Sequence, residues 1–130
     1  MRLLLDTHAF VWSATRVNML PSAVIAALND LENEIFVSAV SAYEIEYKRD
    51  RDVLLRSLPA ELDPMVTLQG MAWLPITQEH AAAAARLPQY HRHPWDRILV
   101  AQAILDGMQL VTTVSWPPTT FRSSGRPTRL

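Results

Sequence analysis

Asp6, Glu44 and Asp96 are carboxylates set among apolar residues. Asp6 ends the run Leu3-Leu4-Leu5, Glu44 lies in Ser41-Ala42-Tyr43-Glu44-Ile45, and Asp96 opens Trp95-Asp96-Arg97-Ile98-Leu99-Val100-Ala101. Withdrawing a carboxylate from water is costly unless a partner or a metal ion compensates it. Three such acids, distant in sequence, point to one converged site, and a hard divalent cation is its expected occupant. Mg²⁺ and Mn²⁺ favour carboxylate and water ligands and keep waters that a substrate phosphate can replace. A cation so held polarises a phosphoryl oxygen and lowers the pKa of water, so hydrolysis needs no protein nucleophile. The chain offers no recognisable Ser-His-Asp or Cys-His arrangement, and it contains no cysteine.

The elements that must position these acids follow from the pattern of apolar residues. Arg2 to Asp6 reads as a buried strand that delivers Asp6 to its carboxyl end, the edge where sites form in open α/β sheets. Thr7 is placed to cap a helix beginning near His8. Pro21 and Ser22 start a second helix with Val24, Ile25 and Leu28 on one face. Glu34 to Val37 reads as strand two, and Ser38 or Ser41 caps the helix that carries Glu44. Leu54, Leu55 and Leu58 suggest a helical turn, and Pro59 and Pro64 frame another. Met71 to Ile76 reads as strand three. Thr77, with Glu79 near the first turn, starts an Ala-rich helix through Arg86, which Pro88 ends. After a loop from Gln89 to Pro94, a helix spans Trp95 to Asp106, with Gly107 as its stop, and Gln109 to Thr113 is strand four. Alternating strands and helices predict an α/β sandwich around a parallel sheet of about four strands.

With 130 residues, 49% of them apolar, the chain is expected to form one domain with a sizeable core. No apolar run approaches the roughly 18 residues of a membrane-spanning helix. Met1 to Leu5 reaches an acid at once, unlike the extended apolar region of a signal peptide, so a cytoplasmic protein without a membrane partner is expected. The net charge of −1 makes no global case for nucleic-acid binding. Its distribution says more: all thirteen acids lie in residues 1 to 113 with nine basic residues, whereas 114 to 130 hold Arg122, Arg126 and Arg129 and no acid.

Each acid also has a plainer reading. Asp96 could be a helix N-cap, Asp6 a turn residue at a strand end, and Glu44 an i,i+4 partner of Lys48. His8, His91 and His93 could join Asp6 around zinc, but their spacing lacks the His-Glu-x-x-His pattern, and solvated imidazoles are expected instead. His80 reads as an ordinary helix residue. Trp73 and Trp95 read as core or interface aromatics rather than base-stacking platforms.

Taken together, Leu4-Leu5-Asp6-Thr7-His8, Val37-Ser38-Ala39-Val40-Ser41-Ala42-Tyr43-Glu44-Ile45 and His93-Pro94-Trp95-Asp96-Arg97-Ile98-Leu99-Val100-Ala101-Gln102-Ala103 resemble the PIN-domain ribonucleases, especially VapC-type toxins of toxin-antitoxin pairs. The resemblance covers residues 1 to 113. It implies a PIN-like three-layer sandwich and a magnesium-dependent (or manganese-dependent) endoribonuclease. It also implies a homodimer inhibited by a cognate antitoxin that covers the acidic cleft. Carried over residue by residue, Asp6, Glu44 and Asp96 become the catalytic and metal-site acids. Thr7 is expected to hydrogen-bond the site, and Arg97 either to meet RNA phosphate or to face solvent.

The ending departs from the family, whose members generally carry a fourth acid just after the last strand. Here Leu110-Val111-Thr112-Thr113 is followed by Val114-Ser115-Trp116-Pro117-Pro118, and the composition turns to Pro, Ser, Thr and Arg. The chain therefore divides into a PIN-like body, 1–113, and a divergent tail, 114–130. Codons built from the third base of each codon and the first two of the next can read Arg-Glu-Leu-Ala-Ala-Tyr-Asp-Val-Pro-Leu-Val-Trp-Pro from Thr113 onward, given favourable wobble bases. That resembles the family's usual ending, so the tail is expected to be a frameshifted version of it, the plainer alternative being a merely divergent, mobile C-terminus. Three functions follow: an RNA-cleaving toxin, a catalytically weakened PIN-domain protein that binds an antitoxin without cutting RNA, or, from the acids alone, a phosphatase or DNA structure-specific nuclease using the same cleft. The family resemblance favours RNA cleavage over the last of these.

Overall fold

The computed structural model describes residues 1–88, 93–112, 120–121 and 127–128. Its centre is β1 (Arg2–Leu5), a strand whose last three residues are buried. Parallel neighbours β2 (Glu34–Ser38) and β4 (Gln109–Val111) flank it, and β3 (Ala72–Leu74) pairs in parallel outside β2. Two-residue strands β5 (Thr120–Phe121) and β6 (Pro127–Thr128) extend the β4 side antiparallel, for the order β3-β2-β1-β4-β5-β6. The expected four parallel strands are present, and this antiparallel extension is an addition to them.

The run Leu3-Leu4-Leu5 is continuously apolar because both faces of β1 are covered. Leu3 and Leu5 enter one core with Phe10, Val24, Ile45 and Val66. Leu4 enters the other with Leu99, Val100, Ala103 and Leu110. Helices α1 (Thr7–Thr15), α2 (Ser22–Asn29), α4 (Val53–Arg56) and α5 (Asp63–Thr67) contribute to the first face, and α7 (Pro94–Leu105) covers the second. Between β2 and α4 runs α3 (Ala39–Lys48), which feeds Ile45 to one core and Val40 to the other. Three layers result, as expected.

Helix ends match the sequence with small shifts. Ser38, rather than Ser41, caps α3, its Oγ accepting from Val40 N–H at 3.0 Å. Thr77 caps α6 (Gln78–Ala85) in a capping box whose returning acceptor is His80 Nδ1. His80 Nε2 also lies 3.0 Å from Asp106 Oδ2, just past the end of α7. His80 is thus a buried tie between α6 and α7, beyond the plain helix role expected of it. Gly107, at φ 66°, ends α7 in the left-handed region that favours glycine.

Candidate functional site

Three parallel strands end side by side, and chemistry-bearing residues stand at those ends. Asp6 follows β1, Ser38 ends β2, and Thr112 follows β4. Asp6 N–H donates to Val111 O at 2.9 Å, which ties the first acid to the end of β4. The helix cap falls on Asp6 itself and not on Thr7: Oδ1 accepts from Ala9 N–H at 2.8 Å. Capping and a site role are therefore compatible at this residue, since the second carboxylate oxygen is not used by the cap.

Asp6 is buried, and burial pushes its carboxyl above the ordinary value of 3.8; the nearby charge of Asp96 pushes the same way. Hydrogen bonds from the Thr112 side chain and Ala9 N–H, together with the charge of His8, oppose the shift without cancelling it. Asp96 is half-buried in the first turn of α7, whose cap is His93, so the plain N-cap reading of Asp96 does not hold. The charge of Asp96 thus bears on Asp6 at the sheet end, as the lesser cause beside burial.

Glu44 is buried on α3 but engaged elsewhere. Its Oε2 accepts from Lys48 Nζ at 2.6 Å, the i,i+4 pair that the plain reading anticipated. It faces a cavity of about 190 Å³ whose lining includes Thr7, His8, Trp12, Lys48 and Asp52. Thr7 and His8 are the two residues after Asp6, so Glu44 opens onto the same helix start. Thr7 joins the walls directly: its hydroxyl donates to Ser41 Oγ at 3.0 Å, both side chains being buried.

Arg97, expected to meet RNA phosphate or to face solvent, is half-buried and engaged within the fold. Its guanidinium donates to the carbonyls of Ala84, Ala85, Leu87 and Pro88 at 2.6 to 3.3 Å. These lie at and beyond the end of α6, where helical carbonyls lack intrahelical partners. Arg97 therefore clamps the start of α7 to the end of α6.

A divalent cation suits part of this donor set. Asp6 and Asp96 supply carboxylate oxygens whose mutual repulsion a cation would relieve. Glu44 as placed does not complete the set, because Lys48 already supplies it with a positive charge. Among the described residues no group of three His, Cys, Asp or Glu is close enough to hold a metal ion. Sequence reasoning missed Thr112 and Ser41. Their signal was position: one follows a strand as Asp6 does, and the other lies one turn before Glu44. His91 and Val114, where the fourth acid is missing, lie outside the described residues.

The fold resembles that of VapBC2 from Rickettsia felis, solved bound to a DNA fragment from their promoter. The likeness has a TM-score of 0.62 and 16% identity, covering 86% of this chain and 87% of that one. No curated protein matches the chain. The PIN domain model matches residues 3–114, the stretch that runs from β1 through all three acids to just beyond β4. By that match, which spans most of its length and every strand end at the site, the chain belongs to the PIN-domain family.

Proposed function

We propose that this PIN domain is a metal-dependent endoribonuclease of the VapC type, a toxin that hydrolyses RNA phosphodiester bonds and is neutralised by a cognate antitoxin. Asp6 carries the reading: it is a buried acid at the end of the central strand, where burial and then the charge of Asp96 disfavour its ionised form, and a cation there would offset both. Asp6 and Asp96 would hold Mg²⁺ or Mn²⁺, with Glu44 joining when Lys48 releases it. The bound ion would polarise a phosphoryl oxygen and activate water. Thr7 acts through Ser41, holding the starts of α1 and α3 in register. The resemblance to a toxin-antitoxin complex supports an antitoxin partner by analogy of fold. A homodimer and a cytoplasmic setting, implied by the family resemblance of the sequence, are part of the same proposal; no helix among the described residues is long and apolar enough to cross a membrane.

Two observations favour the second reading, a weakened protein that binds antitoxin without cutting RNA. Glu44 is neutralised by Lys48, and Val114 stands where the family carries an acid. The divergent tail from Val114, read as a frameshift, would have removed that acid. Sequencing the coding DNA tests this: codons 113 to 126 must give Leu-Ala and then an apolar strand in the alternative frame.

Titrating Mg²⁺ and Mn²⁺ into the purified chain with RNA tests the function. The toxin reading expects metal-dependent cleavage that Asp6→Asn abolishes. Equal cleavage by both proteins would overturn it. Antitoxin binding with no cleavage at any metal concentration selects the second reading.

A further inference from the structure

We infer that Lys48 is a tethered cation that competes with a divalent metal ion for Glu44, the face of Trp95 being the seat that keeps it close when it is displaced. The inference rests on the metal site proposed above and starts from its misfit, since the third acid is already neutralised. Lys48 Nζ lies 2.6 Å from Glu44 Oε2 and 4.9 Å from the centroid of the Trp95 ring. The ammonium therefore stands between α3, which carries Glu44, and the first turn of α7, where Trp95 precedes Asp96. Trp95, expected as a core or interface aromatic, packs on the second core and also turns a face to this cation.

The two members of the pair differ in burial, and that decides which one can leave. The Glu44 side chain is 7% exposed, so its charge needs a positive partner in every state. The Lys48 side chain is 36% exposed, with its stem along the cavity that Thr7, His8 and Asp52 also line. With a divalent ion at Glu44 the carboxylate stays compensated, and the ammonium rests against the indole, where a cation–π contact retains part of its stabilisation. Neither state leaves a buried charge unpaired, so the exchange is open to both cations.

The neighbouring charges are held elsewhere. Arg49 donates to Glu46 and to the carbonyls of Leu55, Leu58 and Pro59, and Arg51 Cζ lies 5.1 Å from the centroid of Tyr47. Asp52, the other carboxylate on the cavity, accepts from Leu54 and Leu55 N–H as the cap of α4. Among the described residues Lys48 is thus the one cation in an ion pair with Glu44. One helical turn holds it there at an effective concentration of about millimolar or higher, set by the tether and not by the solution. Coupling of this kind is reciprocal: whatever Lys48 subtracts from metal affinity, bound metal subtracts from the hold on Lys48. The chain carries its own threshold, with Glu44 closed by Lys48 at low metal and opened at high metal.

The test uses the full chain without RNA. In calorimetric titration with Mg²⁺, Lys48→Met should bind about 5- to 150-fold more tightly than wild type, the usual span of one coupling between two ligands. Lys48→Arg, which restores the charge, should return affinity to near that of wild type. The gain from Lys48→Met should vanish when Glu44→Gln is already present. Wild type supplies a readout that does not depend on those variants folding: Mg²⁺ should change tryptophan fluorescence as the ammonium leaves Glu44 for the indole, and Trp95→Phe should remove the change. Equal or weaker Mg²⁺ affinity in Lys48→Met, or a gain that survives Glu44→Gln, overturns the proposal and leaves the metal site standing. A fluorescence change that Trp95→Phe retains overturns the role of Trp95. No Mg²⁺ binding by wild type or by Lys48→Met at any concentration removes the metal reading and this one with it.

Discussion

Lys48 Nζ lies 2.6 Å from Glu44 Oε2, one turn along the same helix, so the acid offered to a metal already has a cation from its own chain. The Glu44 side chain is 7% exposed and that of Lys48 36%, which places the acid inside and the ammonium at the rim. Lys48→Met should cost about 1–3 kcal/mol in chelator, because it leaves a buried carboxylate unpaired. If Glu44 joins the metal site, Mg²⁺ or Mn²⁺ should raise the variant's melting temperature more than the wild type's. Equal shifts in calorimetry would exclude Glu44 from the ligand set.

Asp6 carries the opposite sign. Its folded-state pKa is raised by burial and then by Asp96, so the folded state holds that proton more tightly than the unfolded chain. Ionisation of Asp6 therefore lowers stability as pH rises from its unfolded value through its folded one. Asp6→Asn keeps the cap to Ala9 and removes the buried charge. The variant should melt above wild type at neutral pH in chelator, by about 3–6 °C per kcal/mol recovered. The difference should vanish below the unfolded pKa, near pH 3.8, where Asp6 is protonated in both states. A variant less stable than wild type at pH 7 would contradict the sign.

The Thr7–Ser41 hydrogen bond predicts a loss confined to stability and positioning. Thr7→Val keeps the shape but strips the donor from buried Ser41 Oγ. Urea denaturation should show a loss of about 1–3 kcal/mol with little change in slope. Full restoration when Thr7→Val is combined with Ser41→Ala, which makes both sides apolar, would show that the bond matters only because each partner is buried.

Arg97 predicts a large structural effect and no electrostatic one. Its four carbonyl contacts hold α6 against α7. Arg97→Met should lower stability by about 2–4 kcal/mol, since charged hydrogen bonds are lost and helix-end carbonyls are left unpaired. The salt dependence of RNA binding should not change. A reduced slope would return Arg97 to the phosphate-contact role.

Much of the fold was legible because it rests on local pattern. Leu3-Leu4-Leu5 required a strand covered on both faces, Thr77 required a helix start, and Gly107 a stop. The acids were legible for a related reason: carboxylates among apolar neighbours are costly, so Asp6, Glu44 and Asp96 stood out. Cap positions were less legible, because Asp6 and Thr7 are both good caps and only backbone geometry chooses between them. The role of Arg97 could not be read, since its acceptors are carbonyls ten or so positions away that carry no side-chain signature.

The sequence by itself determined that the chain is an α/β domain with three anomalous acids, because burial and periodicity are written in residue order. Only the tertiary structure decided how those acids are used. It brought the charge of Asp96, in the first turn of α7, to bear on Asp6 at the end of β1, gave Glu44 to Lys48, and aligned Tyr43 and Tyr47 with Trp95 from another helix. Pairings of that kind depend on distances between elements that residue order does not specify.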